Sequence, residues 1–428
     1  MASATIRQAE SGPAAADTLV EAGNMHDVRP VPRITIQAFC ESEGVAATME
    51  SAARDRRMAR AHVKTHMGGI PAAADFYGSA PTPNLVIVES KLAASEVVAE
   101  LSRLAQVCDS ETKVVVVGHH NDIALYRELV GHGVSEYLVA PVTMAEMIGT
   151  IAGIFSNPET GPLGRVFAFV GAKGGTGSST VCHNVAWTIA SRFRNDVVLA
   201  DLDLAFGTAN INLDQDPPQG IAEAVFSPDR MDEILLDRLL AKCAEHLNLL
   251  AAPSTLERTY DFEKNAFNQV IEVAQRGVPC VVADVPHMWS AWTKQVLAAA
   301  DQVVVTAAPE LANLRNAKNL IDTLKELRPN DAPPRLVMNL VGMPKRPEIP
   351  VAEFAGALGI EATAVIPFDP ALFGAAANNG QMIGEADAKS VAAERFETIA
   401  QVLTGKAELK VEKKGAFSIL SRFRRKKA

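Results

Sequence analysis

Val170-Gly171-Ala172-Lys173-Gly174-Gly175-Thr176-Gly177-Ser178-Ser179-Thr180 lies between an apolar run, Arg165-Val-Phe-Ala-Phe-Val170, and a second one, Val181-Cys-His-Asn-Val-Ala-Trp-Thr-Ile-Ala190. The segment reads as strand, glycine-rich turn and helix, the context a phosphate-binding P-loop requires. Gly174, Gly175 and Gly177 allow positive φ and close backbone approach. The amides that open the following helix face a bound anion with the positive end of its dipole. Against the pattern G-x-x-x-x-G-K-[ST], Ala172 replaces the first glycine and Ser178 the lysine, while Ser179 still offers a hydroxyl to Mg²⁺ and Thr180 follows it. Lys173, early in the loop, is kept. One lysine kept and one lost points to a nucleotide-dependent switch, and a ligand-free turn is the plain alternative.

Two more segments supply the carboxylates that a Mg-nucleotide site needs. Asp196-Val-Val-Leu-Ala-Asp201-Leu-Asp203 is a buried-type strand ending in two acids, and positions two apart share a face of the pleat. Pro279-Cys-Val-Val-Ala-Asp284-Val-Pro286 is another apolar run that ends in an acid. In open α/β sheets ligands bind at the carboxyl edge of the strands, which places Asp201, Asp203 and Asp284 near Ser179. Any one of these acids alone equally suits a helix cap or a turn.

Lys173 to Thr180, Asp201-Leu-Asp203, Asp284-Val-Pro286, Val-Met-Asn339 and Ile-Pro367-Phe-Asp369 together resemble the MinD/ParA family of deviant Walker ATPases over roughly residues 163 to 403. The resemblance implies ATP and Mg²⁺ as ligands and a homodimer that sandwiches nucleotide, with Lys173 reaching the partner's phosphates. It also implies that Gly174, Gly175, Thr176, Gly177, Ser178, Ser179 and Thr180 cradle the phosphates. By the same resemblance Asp203 would position water in the first switch with Asp201 beside it, Asp284 would hold the magnesium shell, and Asn339 and the Pro367 region would contact adenine. Gly-Ser-Ser-Thr (177 to 180), together with Phe373-Gly-Ala-Ala-Ala-Asn378-Asn379-Gly380, is similar to the CpaE/TadZ branch. That branch implies assembly and polar positioning of Flp (Tad) pili, pilus secretion and assembly proteins as partners, and an N-terminal domain resembling a response-regulator receiver.

The region upstream of 160 tests the assignment independently. Ile34-Thr-Ile-Gln-Ala-Phe39, Leu85-Val-Ile-Val88, Lys113-Val-Val-Val-Val117 and Glu136-Tyr-Leu-Val139 read as strands with helices between, one of them around 44 to 55. The fold class is therefore α/β, with two doubly wound domains: an N-terminal flavodoxin-like, receiver-like domain and a C-terminal P-loop, MinD/ParA-like one. Receiver chemistry is largely missing. Glu89 stands where the phosphorylated aspartate belongs, Gly118 where a hydroxyl belongs and Ala140 where a lysine belongs, and only Glu41 represents the acid pair. The expectation is a pseudo-receiver that makes protein contacts.

The chain of 428 residues exceeds what one core usually supports, and 48% hydrophobic content suffices for two. The spacing predicts a flexible leader over 1–32, the receiver-like domain over 33–155, a linker over 156–162, the ATP-binding domain over 163–404 and a basic tail over 405–428. Cysteines at 40, 108, 182, 243 and 280 form no paired spacing, which argues against disulfides, zinc or an iron–sulfur cluster and for a reducing compartment. Neither a signal peptide nor a membrane-spanning run is read, so the expected location is cytoplasmic, with peripheral contact at the inner membrane or cell pole. The net charge of −9 conceals nine Lys/Arg against Glu408 and Glu412 in residues 406 to 428. There Ala416, Phe417, Ile419, Leu420 and Phe423 share one side of a helical wheel, which suits an anionic membrane surface; a solvated tail or docking peptide is the alternative. Nucleic acid ranks lower, because the body is acidic and has no recognisable helix-turn-helix. His119-His120 reads as a loop, His183 as a packing or capping residue, and Trp289 and Trp292 as core.

Two functional readings result. One is an ATP-dimerised positional switch or scaffold with slow or vestigial hydrolysis. The other is a cycling ParA/MinD-type ATPase that positions cargo on membrane or DNA.

Overall fold

The computed structural model describes residues 28–155, 163–256 and 258–405. They form two compact units, one containing 28–155 with Arg328–Ala332, the other containing the remainder. The linker at 156–162, the basic tail beyond Gly405 and all but the last five residues of the leader lie outside the described residues.

The first unit is a parallel sheet of β1 (Thr35–Cys40), β2 (His62–Met67), β3 (Leu85–Ser90), β4 (Lys113–Gly118) and β5 (Glu136–Val139), in the order β2-β1-β3-β4-β5. This is the flavodoxin-like doubly wound order. Alternate residues face opposite layers: Ile36, Ala38, Ile87, Val115 and Val117 join one core, whereas Phe39, Val86, Val88 and Val116 join the other. Helices α1 (Glu43–Arg54) and α5 (Met144–Ile154) cover the first face. On the second lie α2 (Gly69–Tyr77), α3 (Ala94–Ala105) and α4 (Ile123–Gly131). Strand β2 is absent from the sequence reading. Its residues His-Val-Lys-Thr-His-Met are mostly polar, in keeping with a strand that pairs only with β1 at the edge of the sheet, so no apolar run marks it.

Glu89, the next-to-last residue of β3, is fully buried. Its carboxylate accepts the amides of Glu41 (2.7 Å) and Ser42 (2.8 Å), the Ser42 hydroxyl (2.6 Å) and His119 Nε2 (2.9 Å). Burial works against its charge, but the bonds from Ser42, His119 and Glu41 outweigh it and hold Glu89 below the ordinary glutamate range. The His119 loop therefore has a structural partner. At Gly118 a Cβ would collide with the Tyr137 ring, whose hydroxyl donates to the His120 carbonyl at 2.8 Å. No side-chain hydroxyl fits there while Tyr137 keeps this position.

The second unit is an eight-stranded sheet in the order β13-β12-β11-β6-β10-β7-β9-β8. Its strands are β6 (Arg165–Gly171), β7 (Val197–Asp201), β8 (Ala241–Ala244), β9 (Leu247–Leu250), β10 (Cys280–Val285), β11 (Gln302–Ala307), β12 (Arg335–Val341) and β13 (Ala362–Pro367). All pairings are parallel except that of β8 with β9. Sheets covered on both faces need strands apolar on both sides, and β6 obeys: Val166, Ala168 and Val170 enter one core, Phe167 and Phe169 the other. The long helix α6 (Ser178–Phe193) packs Val181, Cys182, Val185 and Ile189 onto the Phe167 face. Trp292 is buried, as read from sequence, but Trp289 is 55% exposed, because it lies in the turn after β10 rather than on helix Ala291–Ala299.

Removing Glu89 orphans two amides and a hydroxyl that now share an ionised acceptor. Hydrogen bonds to charged groups are each worth about 1.5–3 kcal/mol, so Glu89→Ala should destabilise the first unit by at least about 2 kcal/mol in denaturant unfolding. A loss of only a few tenths would show that this carboxylate does not hold the loop.

Candidate functional site

At the end of β6 the chain turns through 172–177 with Gly175 at φ +80° and Gly177 at φ +77°, both in the left-handed region. Gly177 is required twice over, since an added Cβ would also meet Asn339 Nδ2 at 2.6 Å. That same Nδ2 donates to the Thr176 carbonyl at 2.8 Å and so ties β12 to the loop. Helix α6 starts at Ser178, leaving its first amides directed toward the hollow of the loop. Three hydroxyls close by, those of Thr176, Ser178 and Thr306, are buried without any partner. Thr306 stands opposite Gly171 in register, and a Cβ on Gly171 would touch the Thr176 hydroxyl at 2.6 Å. A buried hydroxyl left unpaired costs about 1–3 kcal/mol, so the loop is built for a ligand with acceptor oxygens, as a phosphate supplies.

The acids converge on the neighbouring strands. In the β10–β7 register Asp284 faces Asp201, both buried and both on the α6 side of the sheet. Both oxygens of Asp201 are taken by the loop that follows, accepting the amides of Asp203 and Ala209, each at 3.1 Å. Burial, and then the charge of Asp284, raise Asp201 well above the ordinary aspartate range, partly offset by His183 and those two amides. Asp203 is half-buried and accepts the Phe206 amide at 3.1 Å; burial moves it upward too. Asp284 meets His183 Nε2 at 3.1 Å, and His183 Nδ1 lies 3.0 Å from Asn212 Nδ2. Among the described residues no group of three or more His, Cys, Asp or Glu is arranged to hold a metal unaided. Mg²⁺ usually keeps several waters and shares substrate phosphates, so a hydroxyl at Ser179 with Asp284 and Asp203 nearby fits that ion's requirements without such a cage.

Lys173 is paired with an acid just beyond the end of the neighbouring strand. Its ammonium lies 2.9 Å from Glu310 Oε1, which also accepts Asn313 Nδ2 at 2.7 Å, and the lysine side chain stays 49% exposed. Lys173 above all holds Glu310 below the ordinary glutamate range. On the β12 side, Gly177, Thr180, Asn339, Pro367, Phe368 and Phe373 line a pocket of about 150 Å³. Its apolar and aromatic walls beside the loop suit a flat ring. The residues named from sequence thus gather at one sheet edge, where the Lys173 ammonium is paired with Glu310.

A P-loop on β6 with carboxylates closing the adjacent strands is the layout of a P-loop ATPase domain of the MinD/ParA class. A family described as an AAA domain matches residues 164–336. The septum site-determining protein MinD of Synechocystis is 24% identical over 251 residues, 57% of this chain and 90% of that protein. The crystal structure of a ParA family ATPase from Chlorobium tepidum is 25% identical, with TM-score 0.51, covering 55% of this chain and 98% of that one. A pilus assembly protein CpaE from Caulobacter crescentus is 50% identical over 98% of its solved chain and 30% of this one, with TM-score 0.30. The chain is thus similar to P-loop ATPases of the MinD/ParA family and, over 30% of its length, to a CpaE pilus assembly protein.

Two partners in the site escape the sequence reading. From sequence His183 reads as a packing or capping residue, and its residue type in a helix gives no hint that it meets an acid 101 positions away. Glu310 follows Ala308-Pro309 at the carboxyl end of β11, the same edge that located the other acids, so its position carried a usable signal.

The raised Asp201 has a consequence for stability. Between the ordinary aspartate value of about 3.9 and its higher folded value, the folded chain binds more protons than the unfolded one, so stability falls as pH rises through that window. Asp201→Asn should flatten the slope, which denaturant unfolding of the nucleotide-free chain at about pH 5 and about pH 8 would measure. An unaltered slope would contradict the charge conflict assigned to Asp201.

Proposed function

We propose that this chain is an ATP-binding switch in which Mg-ATP closes a homodimer and so presents a surface to pilus-assembly partners, with slow hydrolysis. The observation that carries the reading is the cluster of unpartnered Thr176 and Ser178 hydroxyls in a loop that keeps Lys173 at its mouth. In this reading the loop amides and the two hydroxyls bind phosphate oxygens, while Asn339 and Pro367 border the base. Mg²⁺ would supply charge neutralisation at the phosphates; Ser179 would hold it, and Asp284 and Asp203 would hold and orient its waters. Ser178 brings no charge. Losing a charge-assisted contact of this kind is worth about 1.5–3 kcal/mol, which a lysine from a second copy would restore. Lys173 must first leave Glu310 to play that part. Similarity to a pilus assembly protein from Caulobacter supports pilus assembly as the setting, and polar placement is the outcome this reading expects. Asp203 favours the second reading, a cycling ATPase, because it remains available to orient water. No helix among the described residues is long and apolar enough to cross a membrane. In this proposal the basic tail, which lies outside the described residues, makes the peripheral contact.

Lys173→Ala should abolish ATP-stabilised dimers in sedimentation velocity while the monomer unfolds as before; normal dimers would defeat the sandwich. Phosphate release by the pure protein should stay below about one per second, at the low end of enzyme rates. Faster release that disappears in Asp203→Ala would favour the cycling enzyme.

A further inference from the structure

His183 lies on helix α6 against Asp284 at the candidate site. It is fully buried, yet both ring nitrogens are engaged, one by a carboxylate and one by an amide. Asn212 Nδ2 can only donate, so Nδ1 of His183 accepts, the ring proton is on Nε2, and that N–H donates to Asp284 Oδ2. Ser179 and His183 are four residues apart on α6 and so share a helix face, the one turned toward β10. The ring therefore stands on the Ser179 side of the acid. Its other partner, Asn212, ends the short helix Ala209–Asn212, whose first amide holds Asp201. One short helix thus fixes both buried acids, Asp201 directly and Asp284 through His183. Between Asp201 and that helix runs the loop that carries Asp203.

We propose that His183 is a positioning residue for magnesium: its Nε2–H holds one oxygen of Asp284 so that the other is presented to the ion's water shell, and Asn212 holds the ring in that tautomer. The inference rests on the Mg-nucleotide reading of the site. Hydrogen-bond partners behind metal-shell groups typically set metal affinity by about 10–100-fold, a large effect for a residue that touches neither ion nor nucleotide. A histidine that merely fills the core would not do this, since its loss would weaken binding with or without metal.

The test is ATP binding by the full chain at fixed nucleotide, titrated with Mg²⁺ and compared with binding in EDTA. His183→Leu should raise the Mg²⁺ midpoint by about tenfold or more while metal-free ATP affinity stays within about twofold. His183→Gln, whose amide can replace the Nε2–H donor, should recover most of the shift. Asn212→Ala, at a half-exposed position that tolerates truncation, should move the midpoint in the same direction by less. A midpoint unchanged in both His183→Leu and Asn212→Ala, or an equal loss with and without metal, would overturn the positioning role. Binding that ignores Mg²⁺ in the unaltered chain would overturn the Mg-nucleotide reading itself and this inference with it, and the two failures are told apart by which protein shows them.

Discussion

Asp201 and Asp284 face each other at the ends of adjacent strands, buried on the same side of the sheet, and the arrangement around them exists to offset that conflict. Two carboxylates taken from water repel each other and lose hydration, a cost that paired polar groups must balance. Here the Asp203 and Ala209 amides and the His183 ring do so. The compensation is partial, as the upward displacement of Asp201 records. A fold that concentrates acids beside unpartnered hydroxyls is less stable than it could be, and a divalent cation bearing phosphates would relieve both deficits at once. Local conflicts of this sort mark functional sites more often than faults in folding.

The loop itself departs from the usual P-loop in one charge. Ser178 adds a hydroxyl in place of an ammonium, and the retained Lys173 is paired with Glu310. That ion pair is half-exposed, and such pairs are worth about 0–1 kcal/mol, so it is a weak restraint that a phosphate would displace. In the first unit a different replacement has gone to completion. Glu89 is satisfied by four donors from the loops after β1 and β4, and Tyr137 occupies the space that a side chain at Gly118 would need. The receiver-like frame persists with its reactive corner converted into a structural joint.

Much of this was legible in the chain. Continuous apolar runs marked the central strands of both sheets because those strands are covered on both faces, and the acids that close them marked the ligand edge. The edge strand His62–Met67 was not legible, since a strand paired on one side alone lacks an apolar signature. Nor was the bond from His183 to Asp284, because it joins a helix to a strand far along the sequence, and pattern reading reaches only neighbours on one element. Trp289 and Trp292 illustrate the same limit: three residues apart, one in a turn and one on a helix, they differ in exposure for reasons of backbone path rather than composition.

The claim on which the rest depends is that Mg-ATP is what joins two copies of this chain. Titrating ATP into the purified protein while following mass by light scattering, with Mg²⁺ and then with EDTA, tests it directly. The account predicts one nucleotide bound per chain and a doubling of mass only when magnesium is present. A mass that stays constant through saturation, or that is already doubled without nucleotide and indifferent to it, would contradict it.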